Sequence, residues 1–112
     1  ESLAQQQNGV WKWITHEELH GQTVGIIGLG PLGRGIAARC RAMGMRTLGL
    51  RRRPEPVPEA DETLTGADGL ARLLTESDWV VIAAALTEET RSLLGASELA
   101  LLKPTARLIN VA

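Results

Sequence analysis

Four short apolar runs separated by helical patterns predict an α/β fold, an open, doubly wound parallel sheet with helices on both faces. A glycine-rich turn joins the first run to the first helix. Parallel neighbours need crossovers, and crossovers in one sheet are right-handed. With 112 residues and 44% hydrophobic content the chain fits one compact domain with a real core.

Thr23–Ile27 is a β-rich apolar run ending at glycine, as a buried parallel strand should. Pro31 to Met43 turns helical: Leu32, Ile36, Ala37 and Cys40 recur three and four apart, Pro31 suits the first turn and Gly44 the exit. Arg46 to Leu50 reads as a second strand, closed by Arg51–Arg53 and followed by a surface loop carrying Pro54, Pro56 and Pro58. Asp68 to Leu74 gives a short amphipathic helix, and Trp79 to Ala83 a strand covered on both faces. Thr87 to Thr90 turns, Ala96 to Leu102 is a helix capped at Ser97, and Arg107 to Val111 is the last strand.

The ends divide the chain into residues 1–20, a helix tail and linker between domains, and 21–112, a dinucleotide-binding domain incomplete at its C-terminus. Glu1 to Gln7 is helix-compatible and Asn8-Gly9 ends it; Trp11 and Trp13 follow in the linker. A strand at the end with no closing helix leaves a sheet edge bare, so the isolated chain is expected to be marginal or self-associating.

Composition narrows the function classes. A net charge of -1, three tryptophans and no tyrosine or phenylalanine offer little to nucleic acid or to an anionic membrane. No apolar run reaches the roughly 18 residues of a membrane span, and the polar N-terminus is unlike a signal peptide, so the expected compartment is the cytoplasm. Cys40, the single cysteine, falls in a helical pattern and reads as a small buried apolar residue. His16 and His20 precede the first strand and are read as surface or linker residues, so no metal site is expected. Asp78 precedes its strand, at the wrong end for this fold's active site, and is read as a cap or turn residue.

Gly28-Leu29-Gly30-Pro31-Leu32-Gly33 is G-x-G-x-x-G between a strand and a helix, the Rossmann-type context for a dinucleotide. Gly28 permits the tight turn, Gly30 lets a pyrophosphate approach the backbone, and Gly33 lets the helix pack on the strand. The helix N-terminus offers free N–H groups to phosphate, though Pro31 lacks one. About 20 residues on, an acid would bind the adenosine ribose hydroxyls. Arg51 stands there with Arg52 beside it, and charge-assisted bonds to a 2′-phosphate favour NADP over NAD.

From Trp11 onward the chain resembles the NAD(P)-binding domain of the D-isomer-specific 2-hydroxyacid dehydrogenases. The resemblance rests on Gly21-Gln22-Thr23-Val24-Gly25-Ile26-Ile27-Gly28-Leu29-Gly30, on Leu86-Thr87-Glu88-Glu89-Thr90-Arg91, and on Lys103-Pro104 with Leu108-Ile109-Asn110-Val111-Ala112. It implies a two-domain, usually dimeric enzyme that moves a hydride between nicotinamide and a 2-keto or 2-hydroxy acid, glyoxylate- or hydroxypyruvate-like substrates being loosely favoured. It also implies cofactor contacts at Pro31 and Leu32 (pyrophosphate), Arg51 (ribose), Ala84 (the loop along the cofactor), and Val111 and Ala112 (beneath the nicotinamide end). The family's catalytic arginine, glutamate and histidine lie beyond Ala112, so no catalytic residue is assigned within the chain. Three departures stand out: proline for the usual basic residue after Gly30, arginine for the ribose-binding acid, and Ala83 and Ala85 for a common polar residue and proline. The alternative is a dinucleotide-sensing corepressor of the same family. Formate dehydrogenase and adenosylhomocysteine hydrolase share parts of the pattern and fit Leu86–Arg91 less well.

Overall fold

The computed structural model describes residues 19–84 and 94–111. Over these, five parallel strands form one sheet: β1 (Thr23–Ile27), β2 (Arg46–Leu50), β3 (Glu62–Leu64), β4 (Trp79–Ile82) and β5 (Arg107–Asn110). Their spatial order is β3-β2-β1-β4-β5. Helix α1 (Pro31–Ala42) follows β1, α2 (Gly66–Glu76) follows β3, and the short α3 (Ala96–Leu99) precedes β5. The predicted doubly wound sheet is present, and the tail, linker and Thr87–Thr90 turn lie outside the described residues.

Strand alternation divides the core in two. Val24, Ile26, Trp79 and Val81 face one side, where Ile36, Ala37 and Cys40 of α1 cover them. Ile27, Leu48, Leu50, Val80 and Ile82 face the other, under Leu70, Leu73 and Leu74 of α2. Glycine sets how closely α2 approaches: a methyl on Gly25 would run into Leu73 and the Ser77 hydroxyl. At β1, β2 and β4 both faces are covered, and these strands read as mainly apolar runs rather than alternating ones.

The elements depart from expectation at four places. Glu62–Leu64 is a strand on the sheet edge where a loop was expected; its three residues are half-buried and carry no apolar run to announce it. The proline-rich segment is anchored, with Val57 and Ala60 buried in the core and the Arg41 guanidinium donating to Pro58 O at 2.6 Å. On α1, Gly33 replaces Leu32 on the buried face, and Leu32 is 38% exposed. Helix α3 stops at Leu99, and Gly95, not Ser97, is its N-cap.

Asp78 has the structural role expected of it. Its Oδ2 accepts the Thr23 N–H at 2.9 Å and its Oδ1 pairs with Lys103 Nζ at 3.0 Å, joining the starts of β1 and β4 to the loop before β5. Burial raises its pKa, but the Thr23 N–H and the Lys103 ammonium outweigh that and hold the carboxyl below its ordinary value. Beside it, the Trp79 indole N–H donates to Gln22 Oε1 at 2.6 Å and Arg107 lies 5.0 Å over the ring. On the β3 side, Arg46 and Arg72 both bridge Glu62 and Glu76, tying β2, β3 and α2 together.

Candidate dinucleotide-binding site

Strand order reverses between β1 and β4, and ligands of open α/β sheets bind outside the carboxyl ends of the strands at such a switch point. The backbone there is tightly fixed. Gly28 N–H donates to Leu50 O at 3.0 Å, while the N–H groups of Ala83 and Ala84 both donate to Ile27 O, at 2.9 and 3.0 Å. Gly28 has φ 102°, which a side-chain-bearing residue rarely adopts, and a methyl on it would press against Ala84.

A groove of about 660 Å³ opens over this point. Ile27, Gly28, Leu29 and Gly30 form its floor, Leu50 and Arg51–Arg53 one wall, and Gly66, Ala67 and Ala84 the rest. Gly30 faces open space: a methyl there would meet no protein atom within 4 Å, the arrangement needed where a ligand approaches the backbone. Gly33 is the opposite case, since a methyl on it would sit on the Gly28 carbonyl oxygen. Helix α1 begins at this turn with no acid in its first turn and no side-chain cap, so its N-terminal N–H groups and positive dipole end stay available to an anion. The residues present thus fit a dinucleotide, with open backbone at Gly30 and cationic side chains at the end of β2.

The groove brings together Gly28, Gly30, Arg51, Arg52 and Ala84 from the sequence-based set. Pro31 lines an adjoining recess with Gly30, and Gly33 packs beneath the turn. Leu32 is exposed on the first turn of α1, outside the lining of either cavity. Val111 is only 5% exposed and packs in the α1-side core rather than lining the groove; its N–H continues the β4–β5 ladder to Ile82 O. Ala112 lies outside the described residues. The Arg51 guanidinium is partly engaged, one Nη donating to Glu55 O at 3.1 Å, while the residue's backbone N–H donates to Leu64 O at 3.0 Å. Arg53, Leu29, Gly66 and Ala67 also line the groove, beyond the residues expected from the sequence. Arg53 was legible as the end of the arginine run, whereas Gly66 and Ala67 needed the unrecognised β3 to carry them to the strand ends.

The comparisons with known proteins agree with this geometry. The family described as D-isomer specific 2-hydroxyacid dehydrogenase, NAD binding domain, matches residues 1–112. The chain belongs to that family. The domain is 46% identical over 96 residues to a glyoxylate reductase of Thermococcus gammatolerans, covering 85% of this chain and 28% of that protein. It is 37% identical over 95 residues to a glycerate dehydrogenase of Methylorubrum extorquens, covering 85% and 27%. Among solved structures, a D-isomer specific 2-hydroxyacid dehydrogenase of Xanthobacter autotrophicus Py2 in complex with NADPH superposes with a TM-score of 0.74 at 36% identity, over 81% of this chain and 37% of that one. The domain therefore spans well under half the length of the relatives it matches. These relatives are named as reductases and dehydrogenases, which lends no support to the corepressor alternative.

Among the described residues, no three His, Cys, Asp or Glu side chains group as a metal site, and no helix is long and apolar enough to cross a membrane. Cys40 is buried and its thiol is pushed up to about 12 by burial, so it is an inert core residue, as its helical spacing indicates.

Proposed function

We propose that this domain holds NADP(H) in preference to NAD(H), within an enzyme that transfers a hydride between the nicotinamide and a small 2-keto or 2-hydroxy acid of the glyoxylate or hydroxypyruvate kind. The observation carrying the cofactor preference is the arginine run Arg51–Arg53 on the groove wall at the end of β2, where NAD-selective domains place an acid. A guanidinium matches phosphate in geometry and charge, and each charge-assisted bond contributes about 1.5 to 3 kcal/mol. The names of the curated relatives support the substrate class. The nicotinamide supplies the hydride; this domain's residues bind and orient it, with Gly28 and Gly30 admitting the pyrophosphate and Ala84 flanking the cofactor. Residues 1–20 serve as the link from a second domain, the working form is a homodimer, and the compartment is the cytoplasm.

Thermal stabilisation of the protein carrying this domain, by NADP and NAD at matched concentrations, tests the preference. Stabilisation grows with the logarithm of ligand concentration over Kd. A larger shift with NADP is expected, and a larger shift with NAD would reduce the arginine run to a solvated loop.

A further inference from the structure

Pro31 removes from the phosphate turn both an N–H donor and the positive charge that a basic residue would bring, yet α1 still carries a guanidinium at the start of its second turn. Arg34 is one turn along, and helical side chains tilt toward the N-terminus, so it lies back over Gly30 and Pro31. Its Nε–H donates to Leu29 O at 3.1 Å, fixing the guanidinium at the mouth of the glycine turn. A cation is out of place at the positive end of a helix dipole, and α1 has no acid in its first turn to offset it. Arg34, Gly30 and Pro31 together line a recess of about 530 Å³, and Gly30 also floors the dinucleotide groove. The recess and the groove therefore meet at Gly30, where the pyrophosphate has its open approach. Glu59 lines the same recess, with one buried carboxylate oxygen that makes no hydrogen bond.

We propose that Arg34 is a pyrophosphate ligand of this domain, its amino groups supplying from the second turn of α1 the charge that Pro31 cannot supply from the first. This rests on the dinucleotide reading of the groove and adds to it a residue that acts on NAD and NADP alike. The Nε bond to Leu29 O holds the guanidinium while using only one of its five N–H donors.

The test is equilibrium binding of NADH, NADPH, ADP-ribose and adenosine to the full protein and to its Arg34→Gln and Arg34→Lys variants, with the thermal midpoint of each variant measured unliganded. Arg34→Gln is expected to weaken NADH, NADPH and ADP-ribose about 10- to 100-fold and to leave adenosine and the unliganded midpoint unchanged. Arg34→Lys, which keeps the charge, is expected to recover part of the loss. Equal weakening of adenosine would make Arg34 a brace of the turn, weakening of NADPH alone would make it a 2′-phosphate ligand, and unchanged binding of all four would remove it from the site; each overturns the proposal. Failure of the unsubstituted protein to bind NADH or NADPH would instead overturn the dinucleotide reading itself, and the proposal with it.

Discussion

Alanine at Gly30 and alanine at Gly33 should have opposite consequences, although the two residues stand three apart in one turn. Gly30 has φ -78° and open space at its Cβ position, so Gly30→Ala is expected to fold with an unchanged thermal midpoint and to lose dinucleotide affinity at least about tenfold, as the methyl fills the phosphate approach. Gly33→Ala drives a methyl into the Gly28 carbonyl and should destabilise the fold by about 1 to 3 kcal/mol in chemical denaturation. Cys40 gives a second test at this scale. Its raised pKa means that the unfolded chain loses the thiol proton first, so stability from this group is intact below about pH 8.5 and falls as pH rises above it. The thiol should therefore resist alkylation in the native protein at pH 8 and react on unfolding.

Asp78 works at the scale of elements, because it joins the starts of β1 and β4 to Lys103. Its folded pKa is lowered, so its stabilisation is present above the unfolded value, about 3.9, and is lost as pH falls through the folded one. Asp78→Ala strands the Thr23 N–H and should cost about 1 to 3 kcal/mol at neutral pH. Asp78→Asn keeps an acceptor for that N–H, and in acid titration of stability it should flatten the limb below about pH 4.

The elements legible in the sequence were those whose signal is local. β1, β2 and β4 declare themselves by short, mainly apolar runs rich in β-branched residues and leucine, as strands covered on both faces have, and α1 by its glycine entry and exit. β3 was not legible, because Glu62-Thr63-Leu64 is polar and short and becomes a strand only by pairing with Leu48–Leu50. Leu32 misled for a related reason: its spacing fits the apolar stripe, but Gly33 occupies the buried position so that α1 can touch the turn. Candidates for the groove were legible where the signal lies in one segment, as with Gly28, Gly30 and Arg51, which the structure brings to one lining. They were illegible where the fold decides, as with Val111, whose place in a strand ladder turns it into the core.

At the scale of the molecule, the crossover order carries three separate segments to one sheet end: the glycine turn after β1, the arginines after β2 and Ala84 after β4. None of the three makes a site alone. The arginine wall should accordingly be separable from the turn: Arg51→Ala with Arg52→Ala is expected to weaken NADPH about 10- to 100-fold in direct titration while leaving NADH within about threefold. Equal losses for the two cofactors would mean that the arginines shape the groove without reading the 2′-phosphate. On the opposite side of the sheet from β3, β5 is largely exposed, with Leu108 46% open, and it has one strand neighbour among the described residues.

The most direct test is a crystal structure of the full protein with NADPH, read for where the two phosphate-bearing parts of the cofactor lie. The pyrophosphate is expected over Gly30 at the N-terminus of α1 and the 2′-phosphate among Arg51–Arg53. A cofactor bound away from the ends of β1 and β4, or a 2′-phosphate pointing to solvent with the arginines turned from it, would contradict this placement.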